Sequence, residues 1–526
     1  MKNTFINIFI FILFICSLQN QLQASTVDLS NCNTQSSFAI VTQSEGPTYA
    51  CGGIDTGVGN PINVLNGNKF EQVDDFKAPP AYEGLSFSRY YNSHSQAFTP
   101  MGYGWYSAFD IKLYEQPDII QVRLETGKRI NFIKTKVPMQ DQSYVIRGLS
   151  QDPKEGWVER RIDGSGWIWH KSHTTYHFEA VAKDPQLGHL VQVRSEKEAI
   201  YTLRYDQQDR LTRVENARGN ALSWRYQYTK YGLPQITVTT PVGAYEYFLD
   251  RNNNLVQVVY PNGTRLKYAY DPKDQGGDIH NLTGKYIFYN QKWKVISKWK
   301  YDSQDRAISS VHDNNLEQIA IDYDPRLRNY KIAQNGVFVN TVTNSLGEKT
   351  KYSYQISGTQ FQLVEVLGLG CSSCHTLNKK YHYTDQGLID YVGELDHHGS
   401  VVQSINLKYD EHGNIISKRL DSNSASPQTT SYDYEVYTTS PQKDFLNTEN
   451  GINKRLIKET RQSVLGGNKK YIKYYSYNTN NQLIKIKEDG FTPLGEAISK
   501  TKKLWLQSCW SNHLANNICW SAELCN

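Results

Sequence analysis

The chain has 526 residues, 57 Lys/Arg against 52 Asp/Glu and a formal charge of +5. Its mean hydropathy is −0.60 with 39% hydrophobic residues, a polar but globular composition. That balance excludes a disordered polyelectrolyte, and the chain is long enough for a buried core or several domains; neither a nucleic-acid partner nor a cofactor is expected. Tyr (37) and Trp (10) are abundant while Met (3) is scarce, which favours strands, where aromatics pack on a pleated surface.

Residues 1–24 read as a secretory signal peptide: Lys2 is the positive start, Ile8 to Cys16 the apolar stretch, and Ala24 a small residue suited to the cleavage site. The apolar run is short of the roughly 20 residues needed to span a bilayer. Ile15 before Cys16 argues against lipidation of that cysteine. The mature chain is therefore expected to be exported, as a periplasmic, cell-surface or secreted protein without a stable transmembrane segment. Of eight Cys, seven remain after Cys16, an odd number that leaves at least one thiol free or paired between chains. Cys32 and Cys51 form a plausible disulfide, Cys32 within a lead segment at 25–58 that also holds Cys51.

Residues 59–180 are expected to form an N-terminal β-domain. It contains "GNPINVLNGNKFEQVDDF", "LSFSRYYNS" and "GYGWYSAFDIKL", and later "GWIWHKSHTTYHFEA". In the last stretch strand parity puts His173 and His177 on one face and His170 on the other, unless a turn intervenes at Lys171–Ser172. A same-face pair is a conceivable metal site. The blander reading is a hairpin in which Trp167, Trp169, Tyr176 and Phe178 pack.

From 181 to 490 one short pattern returns. Compare "YDQQDRL" at Tyr205, "LDRNNNL" at Leu249, "YDSQDRAI" at Tyr301, "YTDQGLI" at Tyr383, "YDEHGNI" at Tyr409 and "YNTNNQL" at Tyr477. Anchors at 205, 228, 249 and 270 are 23, 21 and 21 residues apart. The reactive groups change between copies and the turn residues persist, so Asp410, Glu411 and His412 read as a turn rather than an acid or metal site. Asp206, Asp302 and Asp410 suit a side-chain-capped turn and Gly413 a positive φ. Flanking period-2 alternation gives stacked hairpins, which bury a continuous core only as a repeat array.

These motifs in this order resemble the RHS family of YD-repeat proteins, related to teneurins and toxin-complex shells. The repeats cover about Leu190 to Asp489, and the three stretches between Gly59 and Leu113 resemble the domain that opens many members. The resemblance implies an all-β fold: an N-terminal β-domain followed by YD hairpins in a spiralling, open shell around a hollow space. It implies a non-enzymatic structural shell, in toxic members the carrier of a C-terminal effector.

Three features point elsewhere. "GCSSCH" holds Cys371, Cys374 and His375, the c-type haem attachment pattern; a disulfide or metal clip between the two cysteines is the competing reading, with His397 and His398 as the nearest further ligands. Exposed aromatic hairpins also suit a cell-surface carbohydrate-binding or adhesion module, with a glycan or another surface protein as partner. Between Gly451 and Lys503 there are 12 Lys/Arg against 4 Asp/Glu, a basic stretch suited to an anionic partner, with a solvated, lysine-guarded edge as the blander reading. Members that cleave themselves carry D-P-x-G-x-x-G; here "TPLGEAI" has Thr492 and Ile498 in place of its Asp and last Gly. Residues 491–526 form an atypical Cys/Trp tail, read as unrelated or as the end of a truncated frame.

Overall fold

The computed structural model describes residues 56–503 except 139–143, 150–154, 172–173, 196–198, 271–277, 314–315, 328–335, 358–359, 369–377, 386, 397, 412, 424, 438–452, 463–469, 479–482 and 492–495. Among these residues the fold is all-β, with one 3-10 turn at Pro80–Tyr82. No helix is long and apolar enough to cross a membrane.

Thirty-one strands, from Lys112–Glu115 to Ala497–Lys503, make one antiparallel sheet in which almost every strand pairs with its neighbours in sequence. Period-2 alternation decides which side is buried. Strand Ala199–Tyr205 turns Tyr201 and Leu203 inward, Ala221–Tyr228 does so with Leu222 and Trp224, and Gly243–Leu249 with Tyr245, Tyr247 and Leu249.

The expected open shell is closed at its start. Strand Asp184–Ser195 has 12 residues and two register shifts against Thr174–Val181, and its free edge serves two partners. Leu187, Gly188 and His189 pair with Tyr114, Leu113 and Lys112, while Gln192–Arg194 pair with Thr202 to Ala199. A long, bulged strand bends enough to do both. The strands from Lys112 to Ser195 therefore form a ring around Phe132, Trp167, Trp169 and Phe178, and the sheet leaves the ring from the same strand. At the far end, among the described residues, Ala497–Lys503 has registered pairs only with Leu483–Phe491.

Residues 56–111 stand apart from the long sheet. Their strands Phe70–Phe76, Phe87–Asn92 and Trp105–Ser107 form a small sheet, which lies on the repeat-tyrosine face of the long one. Phe87 meets Trp224 and Tyr247 edge-on, at 5.6 and 6.1 Å, and Trp105 meets Tyr268 at 5.0 Å. Among the described residues this cover does not extend along the whole sheet: the last buried apolar side chain is that of Leu395. Beyond it the same face is only half-buried, as at Ile405, Leu420, Tyr432, Leu456, Tyr475 and Ile486.

Candidate functional site

The repeats at Tyr205, Tyr301 and Tyr409 build the same turn. Asp206 Oδ1 accepts from the backbone N–H of Gln208 (2.9 Å) and Arg210 (3.0 Å), and Arg210 Nε donates to Asp206 Oδ2 at 2.9 Å. Asp302 repeats this on Gln304, Arg306 and the Arg306 guanidinium, at 2.9, 3.0 and 2.8 Å. Asp410 accepts from the N–H of Asn414 at 2.9 Å. Asp209 and Asp305 have φ of 61° and 60°, and Gly413 has 74°. Capping at position two and a left-handed residue at position five close a type I turn with a bulge. Register shifts fall at Tyr205, Tyr301, Tyr383, Tyr409 and Tyr477 accordingly.

The bulged tyrosine then ties one repeat to an earlier one. Tyr205 donates its hydroxyl to the Leu190 carbonyl (2.8 Å), Tyr301 to Leu282 (2.8 Å), Tyr383 to Leu363 (2.8 Å) and Tyr477 to Leu456 (2.7 Å). Tyr409 donates to Ile389, and Tyr434 in turn to Ile415 at 2.9 Å. Several acceptors are the aliphatic residue that ends the preceding turn, so the repeats form a chain of links. Burial of these phenols pushes Tyr205 and Tyr301 well above the usual tyrosine range, keeping them as donors.

The repeat anchored at 228 departs from the expected template. Its register runs without a bulge through Tyr228–Pro234, Tyr228 is 74% exposed, and Tyr226 makes the link, to Leu211 at 2.9 Å.

Tyr301→Phe should cost about 1–3 kcal/mol, because it leaves the Leu282 carbonyl buried without its donor. Tyr434→Phe should cost less than about 1 kcal/mol, because its surroundings are wetter. Urea midpoints of the two variants check this; equal losses would contradict the core gradient.

Two buried charge clusters hold residues 56–111 on the repeats. Arg89 and Asp75 form an ion pair with both side chains at 0% exposure. Asp75 also accepts from Tyr247 (2.8 Å) and Tyr260 (2.7 Å), while Arg89 donates to the Tyr268 hydroxyl at 3.3 Å and sits over the Trp105 ring. Burial opposes the Arg89 charge, yet the Asp75 carboxylate beside it keeps it protonated. The second cluster is Lys69–Glu71–Lys285: Lys69 Nζ is 2.7 Å from Glu71 and 4.3 Å from the Trp299 ring centre, and Lys285 pairs with the other Glu71 oxygen. Burial pushes Lys69 down to about 8 against the pull of Glu71. Burial alone would raise Glu71, but Lys69 and Lys285 outweigh it and hold the carboxyl at about 2.

That depression has a sign for stability. A carboxyl held below its usual 4.5 stabilises the fold fully above that pH, and the contribution is lost as pH falls towards about 2. Urea midpoints should therefore drop between pH 5 and pH 3, with a shallower drop in Glu71→Gln. A parallel drop in both proteins would remove Glu71 as the cause.

Sequence reasoning missed these five charges. The signal was present in Arg89, which stands at the buried parity between Phe87 and Tyr91.

Strands Gly166–Lys171 and Thr174–Val181 pair as a hairpin, the alternative in which a turn intervenes near Lys171–Ser172: His170 pairs with Thr175, and His177 with Ile168. His170 and His177 therefore share the face opposite Trp167, Trp169, Tyr176 and Phe178. His170 stacks on Trp157 at 4.7 Å and bonds Glu159 at 3.1 Å, and His177 bonds Thr175 at 3.0 Å. Among the described residues no group of three His, Cys, Asp or Glu is placed to hold a metal. Cys32, Cys51, Cys371, Cys374, His375, His173, His397 and His412 lie outside the described residues, as do the signal peptide, Thr492–Gly495 and the Cys/Trp tail from 504.

A family model described as a domain of unknown function (DUF6531) matches residues 59–132. No curated protein matches the chain. Among solved structures the chain is similar to TcdB2-TccC3, with 10% identity over 73% of this chain and 24% of that one and a TM-score of 0.35. It is also similar to the Photorhabdus luminescens Tc holotoxin pore, with 11% identity over 76% of this chain and 24% of that one and a TM-score of 0.27. A porin-like protein from Bacteroides uniformis gives 8% identity over 53% of this chain and 93% of that one, with a TM-score of 0.20. The chain spans about a quarter of the length of the toxin-complex chains it matches.

Proposed function

We propose that the protein is an exported, non-enzymatic structural shell of the RHS/YD-repeat type that carries a polypeptide cargo. One observation carries this reading. Among the described residues, the repeat-tyrosine face is covered by residues 56–111 over its earlier strands and has no such cover over 401–503. The uncovered stretch is neither apolar nor purely charged: Tyr475 donates to Glu459 at 3.0 Å, Lys473 pairs with Glu488 at 3.1 Å, and Arg461 sits over Tyr471. Such a wall can face water or an unfolded chain without sticking to it, whereas a dry face would collapse on its contents. The repeated turns give the wall strength rather than chemistry, since their carboxylates are committed to backbone N–H groups and to Arg210 or Arg306.

The test is a fusion of an unfolded reporter polypeptide after Asn526, challenged with protease. A carrier protects the reporter for as long as the shell stays folded, and the protection ends at the shell's own urea midpoint. Digestion at the rate of the free reporter, with the shell intact, contradicts the reading.

A further inference from the structure

We propose that the turn 302–306 and the segment 278–281 form a calcium site, independent of any cargo role of the shell. The segment is held on the turn through one carboxylate. Asp305 Oδ1 accepts from the Asp278 backbone N–H at 2.8 Å and from Asn281 Nδ2 at 2.9 Å. That brings Asp278 and Asp305 together, and among the described residues neither carboxylate has an ion-pair partner. The turn's own arginine, Arg306, is committed to Asp302 at 2.7 Å. The turn at Tyr205 is different: Asp209, at the position of Asp305 and with the same positive φ, lies 3.8 Å from Lys183.

A second observation does not depend on charge. Among the described residues only two side-chain carbonyl oxygens are buried without a hydrogen-bond partner, Asn281 Oδ1 and Gln304 Oε1. The first belongs to the residue that bonds Asp305, and the second to the residue before Asp305. Asn281 is 2% exposed, and an unmet carbonyl at that depth is costly. Both orphans are acceptors, so a donor or a cation completes the group. A water could donate to both oxygens, but it does nothing for two neighbouring carboxylates. A cation answers both observations.

The ligand set selects the ion. Carboxylates from Asp278 and Asp305 and amide oxygens from Asn281 and Gln304, with water in the remaining positions, suit calcium, which takes about six to eight oxygens in adaptable geometry. Magnesium holds its own water more tightly and has less use for neutral carbonyls. The imidazoles nearby are engaged elsewhere, His280 with Asn254 (2.7 Å) and the Tyr103 ring, and His94 with the Asp305 carbonyl (3.1 Å). The site is preformed. The Tyr91 hydroxyl donates to the His280 carbonyl at 2.8 Å and accepts from the Leu282 N–H at 3.0 Å, so both neighbours of Asn281 are clamped. Asp302 caps the turn that carries Gln304 and Asp305. Asp278 is exposed and opens the site to solvent. With only two carboxylates the affinity should lie at about 10⁻⁴–10⁻³ M, the range of extracellular calcium modules.

The experiment uses the full chain freed of metal with EDTA. Calorimetric titration with calcium chloride should show binding in that range, and magnesium chloride at the same concentration should compete poorly. Saturating calcium should also raise the urea midpoint. Asp278→Asn keeps an acceptor for the His280 N–H, 3.0 Å away, but removes a charged ligand. It should weaken calcium by roughly tenfold, with a midpoint in EDTA no lower than that of the unaltered protein. Asn281→Asp adds a carboxylate beside Asp305, so its midpoint in EDTA should fall and calcium should restore it. Asp209→Asn, on the turn with its own lysine, should bind calcium like the unaltered protein. The proposal is overturned if calcium gives neither heat nor a midpoint shift, which would leave water as the occupant. It is equally overturned if Asp278→Asn binds as tightly as the unaltered protein, if Asp209→Asn loses as much as Asp278→Asn, or if magnesium binds as well as calcium.

Discussion

Asp75→Ala should destabilise the protein by about 3–5 kcal/mol, the cost of leaving one partner of a buried pair as an uncompensated charge. Arg89 is fully enclosed, and its other contacts are the Tyr260 and Tyr268 hydroxyls and the faces of Trp105, Tyr247 and Tyr268. None of these carries a compensating negative charge, because burial holds the three phenols in their neutral form. The alanine also leaves the Tyr247 and Tyr260 hydroxyls without their acceptor. Arg89→Met combined with Asp75→Leu should recover a large part of the loss, since an apolar pair of similar volume avoids the desolvation of both ions. Urea unfolding of the single and double variants measures both quantities. A loss under about 1 kcal/mol for Asp75→Ala would mean that water reaches the pair and that residues 56–111 are not sealed against the repeats.

Trp299→Ala should cost about 3–5 kcal/mol, in the range for removing a large buried aromatic. Trp299 is 2% exposed and joins three parts of the fold: its indole N–H reaches Asn60, its ring lies beneath Lys69, and its strand neighbour Tyr301 makes the link to Leu282. Trp299→Phe keeps a ring but loses the bond to the Asn60 carbonyl, and should cost about 1–3 kcal/mol. The exposed Trp293, six positions earlier on the same strand, serves as the control; Trp293→Ala should change stability by no more than about 0.5 kcal/mol. If the two alanine variants lose the same stability, the assignment of inner and outer faces in this hairpin is wrong.

The repeat region was legible because its physics is local. A capping Asp, a residue tolerant of positive φ and alternation on either side fix a hairpin within a dozen residues, and each copy states it again. The exception at Tyr228 shows the limit. Thr229 can cap as Asp206 does, with Leu233 N–H at 3.2 Å from its hydroxyl, but the pairing of Tyr228 with Pro234 keeps the register regular, and only the strand partners reveal that. Closure of the sheet was not legible either. It depends on the strand Asp184–Ser195 splitting its edge between partners some 70 residues before it and a few residues after it, and nothing local marks the strand as forked.

The candidate site divides in the same way. Asp206, Asp302, Asp410 and Gly413 stand where turn chemistry puts them. Lys69, Glu71, Asp75 and Arg89 acquire their roles only through contacts with Tyr247, Tyr260, Tyr268 and Lys285, some 170 to 215 residues away. A lone charge at a buried parity shows that a partner must exist, without saying which.

The most direct test of the central claim, a sheet whose early strands are cored by the chain's own N-terminal segment and whose later strands are not, is native-state hydrogen exchange. Amides of residues 56–111 and of the strands between 199 and 366 should open together, at the free energy of global unfolding and with the same dependence on urea. Amides of the strands between 401 and 503 should exchange through smaller openings at lower free energy. If residues 56–111 exchange independently of the strands they cover, or if the later strands are protected as strongly as the early ones, the account is contradicted.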